Sequence, residues 1–242
     1  MIRRSTPDWL TRWEYAHRGL HSEGAPENSL AAAEAAIAAG MGIECDIQRS
    51  ADDHAMVFHD WELSRLSDQS GETGERVAED LERVALLGTN QSPVRLSRFL
   101  AEIAGRVPLL IEIKSMPGYN VERTCTRVAE LLYEYSAEHA VMSFDPRVPG
   151  WFADHSPETV RGLVCTDTLD LGFKSTWRVP GALEAAQADF LALDIRDIPG
   201  ALPDLWRESG RPLLSWTIRT PDFRETALAH VDALISEGDG LV

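Results

Sequence analysis

The chain is predicted to fold as a single-domain α/β protein, a (β/α)8 TIM barrel, on three observations. Its 242 residues match the ~250 typical of that architecture, eight short apolar runs alternate with helical segments, and no Pro/Ser linker or internal repeat divides it. Strands separated by helices pair in parallel, and eight such units close a barrel; a doubly wound open sheet is the alternative, because periodicity does not show closure.

The first strand is expected over 14–17. The clearest helix follows over 29–39, almost all alanine with Leu30 and Ile37, capped by Asn28 or Ser29 and stopped by Gly40. The second strand spans 42–47, and the run 55–59 is an extension beyond it, not a barrel strand of its own. The other six strands are expected over 108–114, 139–144, 159–164, 188–194, 212–216 and 231–235. Asp145 before Pro146 and Thr220 before Pro221 read as caps with proline at the first helical position, where its missing N–H costs nothing. The fifth unit is the weakest, since 167–179 has little helical character. Only 236–242 follow the last strand, too few for a closing helix, so the segment 8–13 is expected to cover that end. The polar connection 60–94, helical around 78–87, leaves the strand end that carries His59. Loops after strand ends form the active face of barrels, so within a domain spanning 1–242 this connection reads as a short covering insertion.

A formal net charge of −16 argues against nucleic acid or an anionic membrane surface as a partner, and leaves an anionic small molecule dependent on a local positive site. The sequence has no run of about 18 apolar residues and no apolar core at its start, so no stable membrane association and a cytoplasmic location are expected. Cys45, Cys125 and Cys165 are three in number and far apart, with no CxxC spacing, which predicts reduced, buried thiols. Of 23 basic residues only Lys114 and Lys174 are lysine, so a lysine inside a strand invites a specific reason. Oligomeric state is not legible.

The chemistry concentrates at strand ends. His17-Arg18-Gly19, Glu44-Cys45-Asp46 and His59-Asp60 each end an apolar run, which gathers them at one rim of a sheet. Side chains alternate along a strand, so Glu44 and Asp46 face inward while Ile43, Cys45 and Ile47 pack outward; Glu112 and Lys114 repeat the pattern against Ile111 and Ile113. Two carboxylates about 4 Å apart repel by ~4 kcal/mol at an effective dielectric near 20, so three together call for a proton or a cation. All-oxygen ligands favour one hard divalent ion, Mg²⁺ or Ca²⁺ ahead of Mn²⁺, over zinc, which recruits histidine more often. His17 and His59 suit an acid/base pair near neutral pH, one deprotonating the nucleophile and the other protonating the departing alkoxide. Arg18 offers a planar fork, and Lys114 a compact charge, for phosphate oxygens. Such a site suits metal-assisted attack on a phosphate ester. His54, His139, His155 and His230 read as hydrogen-bonded structural residues, and His21 lies ambiguously just beyond His17.

Taken together, His17-Arg18-Gly19, Pro26-Glu27-Asn28-Ser29, Glu44-Cys45-Asp46, Met56-Val57-Phe58-His59-Asp60, Ile111-Glu112-Ile113-Lys114, Ser143-Phe144-Asp145 and Ser215-Trp216-Thr217 resemble the glycerophosphodiester phosphodiesterase family. The resemblance implies a (β/α)8 barrel that uses a divalent metal to hydrolyse glycerophosphodiesters to glycerol 3-phosphate and an alcohol. It further implies His17 and His59 as the acid/base pair, Glu44, Asp46 and Glu112 as metal ligands, and Arg18 and Lys114 as phosphate contacts. Trp216 resembles an aromatic wall at the seventh strand, and Glu27 a supporting group near the metal. The chain departs from the usual pattern at Asp53, where a turn glycine is common, and at Ser236-Glu237-Gly238-Asp239 after the last strand. A lysophospholipase D-like activity on lysophospholipids is the alternative substrate reading, and a non-catalytic phosphodiester-binding protein the alternative from another class.

Overall fold

A computed structural model of the chain describes residues 6–167 and 181–241. Its strands are β1 (Tyr15–Ala16), β2 (Gly42–Arg49), β3 (Ala55–Val57), β4 (Val94–Arg95), β5 (Leu109–Ile113), β6 (His139–Ser143), β7 (Val160–Cys165), β8 (Phe190–Asp194), β9 (Leu213–Ile218) and β10 (Ala233–Ser236). Eight of them pair in parallel in the order β1, β2, β5, β6, β7, β8, β9, β10, and β10 returns to β1, which closes the expected barrel and excludes the open sheet. The extension at 55–59 stays outside the barrel as foreseen: β3 folds back antiparallel on β2, and β4 antiparallel on β3. Asp53 takes φ 64° in the turn between β2 and β3, the left-handed conformation that makes glycine common there and that aspartate tolerates.

The helices are α1 (Leu30–Ala38), α2 (Ala78–Leu81), α3 (Leu96–Ile103), α4 (Val121–Tyr133), α5 (Arg147–His155), α6 (Ala182–Ala186), α7 (Ala201–Glu208) and α8 (Pro221–His230). Ser29 caps α1, its Oγ accepting from Ala32 N at 3.1 Å, and Thr220 caps α8 ahead of Pro221. The helix expected over 78–87 contracts to α2: Arg83 N and Val84 N bond Asp80 O and Leu81 O, three residues back, which ends the helical ladder, and the chain then turns at Gly88 (φ 70°) with Leu86 N meeting Gln91 O at 2.8 Å. Of the weak fifth unit expected over 167–179, residues 168–179 lie outside the described residues.

Outward residues of β2 and β5 (Ile43, Cys45, Ile47, Leu109, Ile111) are fully buried against α1, α3 and α4. Inward residues fill the lumen in layers, with Tyr15, Leu110, Phe190 and Leu214 low in the barrel and the acids above them. Room for the Phe190 ring depends on Gly162: a Cβ there would lie 2.3 Å from the ring. The 3₁₀ turn Asp8–Thr11 plugs the opposite end of the barrel and not, as expected, the end beyond the last strand; its Leu10 is fully buried and accepts from Tyr15 OH at 3.0 Å. Cys45, Cys125 and Cys165 are free and buried. Among the described residues no helix is long and apolar enough to cross a membrane.

Candidate active site

Strand geometry brings the predicted site residues to one end of the barrel. β1 is short because the backbone leaves the sheet at Arg18 (φ 59°) and Gly19 (φ 77°); a Cβ on Gly19 would sit 2.8 Å from the Ala32 backbone, so only glycine lets this turn approach α1. The turn directs His17 into the barrel mouth and Arg18 toward β2. In register, Asp46 of β2 lies opposite Glu112 of β5, with Glu44 two residues lower on the same inward face.

Oxygens of Glu44, Asp46 and Glu112 lie within 4.8 Å of one another, and all three residues are buried. Lys114 Nζ sits 2.7 Å from Asp46 Oδ1 and also contacts Glu112. The Arg18 Nε stands 3.2 Å from Asp46 Oδ2, and its backbone N donates to Glu44 Oε2 at 3.0 Å. Burial alone would push the Asp46 carboxyl up, but Lys114, His59 and Arg18 outweigh it and hold the group well below the usual range. Burial, with the charges of Asp46 and Glu112, pushes Glu44 well above that range. Among the described residues Glu44 Oε1 is buried with no hydrogen-bond partner. Orphaned oxygen, converging carboxylates and hard donors together fit a divalent cation, so this cluster could hold a metal ion.

Both histidines flank the acids, and each is held by a carboxylate through Nδ1. His17 Nδ1 bonds Glu237, and its Nε2 stands 4.0 Å from Glu44 Oε2. His59 Nδ1 bonds Asp60, its neighbour in sequence. Burial raises Glu237, yet hydrogen bonds from His17, His21 and Arg219 outweigh it and keep the carboxyl far below its ordinary value. With Glu237 ionised, His17 Nδ1 is the donor and the Nε2 lone pair faces the site. Burial pushes the His17 imidazole below 6.5, opposed in part by Glu237.

Two cavities meet at this point. One, about 220 Å³, is lined by His17, Arg18, Glu44, Arg196, Trp216 and Arg219; the other, about 290 Å³, by Asp60, Trp61, Ser115, Met116 and Ser143; His59, Glu112, Lys114 and Phe144 border both. Trp216 is fixed by Nε1 donating to Ala192 O at 3.0 Å, and it meets Phe144 edge-on with ring centroids 5.3 Å apart. A larger cavity of about 950 Å³, beside Leu202, Leu205 and Trp206, opens near the N-terminal ends of β7 and β8, away from the acids.

Seven of the eight site residues foreseen in the sequence line these cavities, and Asp46 lies behind them, beside Arg18 and Lys114. Three more belong with them. Asn28 is not the helix cap; at φ 58° and buried, its amide donates to Asp46 Oδ2 at 2.8 Å while its carbonyl accepts from Asp46 N at 3.0 Å. Asp60 and Glu237 each orient a histidine. The position of Glu237, one residue past the strand that pairs with β1, is the signal that could have found it. His21 resolves as a second contact of Glu237, at 3.3 Å, and His139 and His155 bond backbone carbonyls as expected.

The chain is similar over most of its length to proteins of one kind. It is 26% identical over 235 residues to a glycerophosphodiester phosphodiesterase of Caldanaerobacter subterraneus subsp. tengcongensis, covering 92% of each. A phosphodiesterase of Oleispira antarctica, solved in complex with the product sn-glycerol-3-phosphate, superimposes with a TM-score of 0.80 at 23% identity, covering 93% of this chain and 92% of that one. A glycerophosphodiester phosphodiesterase of Parabacteroides distasonis gives 0.76 at 20%, covering 93% and 92%. Residues 17–238, from the first site histidine to just past Glu237, match the model of the glycerophosphoryl diester phosphodiesterase family, and the chain belongs to that family as an enzyme.

Proposed function

We propose that the chain hydrolyses glycerophosphodiesters to glycerol 3-phosphate and an alcohol, with one divalent cation, Mg²⁺ or Ca²⁺, held by Glu44, Asp46 and Glu112. The observation that carries this reading is the orphaned Glu44 Oε1 within a cluster of three buried carboxylates flanked by two oriented histidines. When bound, the cation supplies fixed positive charge for a non-bridging phosphate oxygen and for the charge that develops there. Arg18 and Lys114 hold the phosphate beside it, each already anchored on Asp46, so they are preorganised instead of free.

The two cavities accommodate the two arms of a diester, with the phosphate at their shared wall. His17 borders only the cavity containing Trp216, whereas His59 borders both. This supports His17 as the base: its Nε2 takes the proton from the nucleophile as the new P–O bond forms, that nucleophile being water directly, or a glycerol hydroxyl whose cyclic phosphate a water then opens to glycerol 3-phosphate. His59 then gives a proton to the alcohol oxygen as the old P–O bond breaks, and exchange with solvent restores both rings. Trp216 walls the glycerol arm, and the segment 60–94 covers the departing alcohol through Asp60 and Trp61. Turnover of glycerophosphocholine with Mg²⁺ or Ca²⁺ tests the reading, with His17→Ala, His59→Ala and Glu44→Gln as variants and an acylated diester beside the soluble one. Metal-dependent release of glycerol 3-phosphate, lost in all three variants, is the expected result. Undiminished activity in the variants overturns the site, and preference for the acylated diester overturns the substrate.

A further inference from the structure

The segment between β3 and β4 does more than lie over the site: one of its arginines ties two parts of the catalytic centre together. Arg65 forks onto Glu27, Nη1 to Oε2 at 2.9 Å and Nη2 to Oε1 at 2.7 Å, while its Nε bonds Asp60. The second oxygen of Asp60 holds His59 Nδ1, and Glu27 Oε1 also takes Arg18 Nη1 at 2.7 Å. An unbroken chain therefore runs from His59 through Asp60, Arg65, Glu27 and Arg18 to Asp46. We propose that Arg65 is a positioning residue for the reaction, anchored on Glu27 and holding Asp60 so that the His59 imidazole faces the departing alcohol.

Its own placement is built in. Leu63 is fully buried among Met56, Phe58, Leu81 and Leu86, with Leu66 packed against the same cluster, so the turn between them presents Arg65 to the barrel rim. Leu63 N to Gly71 O at 3.1 Å and Leu87 N to Leu66 O at 2.9 Å fix both flanks. Only a planar fork takes both oxygens of one carboxylate while reaching a second carboxylate through Nε; a lysine ammonium at this place cannot reproduce the geometry. Asp60 and Glu27 side chains are only 17% and 12% exposed, so losing Arg65 strips a guanidinium from each and leaves Asp60 against His59 and Glu27 against Arg18.

The inference rests on the reading above, with His59 as the proton donor to the departing alcohol, and that link gives a test a merely structural role does not pass. An alkoxide needs a proton to leave, whereas a nitrophenolate leaves without one. Arg65→Met is expected to lower kcat on glycerophosphocholine by about 10- to 100-fold with KM changed less than about 3-fold. Turnover of a nitrophenyl phosphodiester is expected to fall by less than about 3-fold. Arg65→Lys should fail to rescue, and Arg65→Met in an Asp60→Asn background should cost much less than in the wild type. Equal losses on the two substrates, or full rescue by lysine, overturn the proposal while leaving the phosphodiesterase reading in place. A wild-type protein without metal-dependent turnover overturns both. Arg83→Met, which removes an arginine of the same segment that pairs with exposed Glu79 and Asp80, should leave both activities unchanged.

Discussion

Glu237 and His17 stand 220 positions apart and share a hydrogen bond at the seam where β10 closes on β1. Closure of the barrel is thus also completion of the site, because the last strand delivers the carboxylate that fixes the first histidine. Glu237→Gln keeps an acceptor but loses the charge that selects the Nδ1–H tautomer. We expect kcat to fall about 10- to 100-fold, with KM little changed, on the scale seen when a carboxylate that orients a functional histidine is lost. Steady-state kinetics on a soluble glycerophosphodiester measures this, and an unchanged kcat removes Glu237 from the site.

The same pair sets a pH dependence. Burial lowers the His17 imidazole below 6.5 and Glu237 offsets this only in part, so a base that works deprotonated keeps working below that pH. The acidic limb of kcat/KM should therefore lie under pH 6.5, and Glu237→Gln should move it lower still, since the variant removes the anion that favours imidazolium. A limb that moves to higher pH in the variant contradicts the assignment of His17 as base.

What the sequence made legible follows from periodicity. Alternation put Glu44, Asp46, Glu112 and Lys114 on inward faces, and the structure has them there, because a strand buried on both faces leaves a polar residue no other place to converge. Strand–helix alternation gave the barrel strands to within a few residues at either end. Asn28, Glu237 and Arg65 were not legible, for a common reason: each acts through a partner 18, 220 or 38 positions away. Local pattern carries no information about such distances; Asn28 in particular reads as a helix cap, since the residue at a cap and the residue at a left-handed turn have the same composition.

Closure also rests on Glu14, just before β1, and Arg224 of α8. Arg224 Nη2 lies 2.8 Å from Glu14 Oε2, and Nη1 donates to Gly240 O at 3.0 Å, so one guanidinium joins the start of the barrel to its end. Burial raises the Glu14 carboxyl, but hydrogen bonds from Arg224 and its charge bring it below 4.5 overall. A depressed folded-state value contributes stability above pH 4.5 that is lost as pH falls. With both side chains partly exposed, Arg224→Met should cost only about 1 kcal/mol at pH 7, or about 2–4 °C in Tm. The gap from wild type should narrow in melts below pH 4.5, and a gap that widens there contradicts the ion-pair account.

The lumen offers a packing test. A methyl group on Gly162 would meet the Phe190 ring at 2.3 Å inside a closed circle of strands that cannot simply spread. Gly162→Ala should therefore destabilise by about 1–3 kcal/mol through overpacking. Phe190→Leu alone opens space and should also destabilise, but the double variant should be more stable than the sum of the two losses implies. Chemical denaturation of the four proteins measures the coupling, and strict additivity would mean that the two residues do not share that volume.

Stability and function should conflict at Glu44. Its carboxyl is pushed well above 4.5 by burial and by Asp46 and Glu112, so the metal-free protein loses stability as pH rises from 4.5 through the raised value. A divalent cation reverses that loss because it binds the ionised form, adding about 2.7 kcal/mol at a hundredfold excess over Kd. Glu44→Gln removes one of the three charges and gives the orphaned position an amide. The variant should then melt above the wild type when both are metal-free at pH 7, respond far less to Mg²⁺ or Ca²⁺, and hydrolyse no diester at a useful rate. Melting curves with and without chelator, read beside activity, separate this from simple damage: a fold weakened by the substitution would melt lower in both conditions, whereas a relieved cation site melts higher in one and fails to respond in the other.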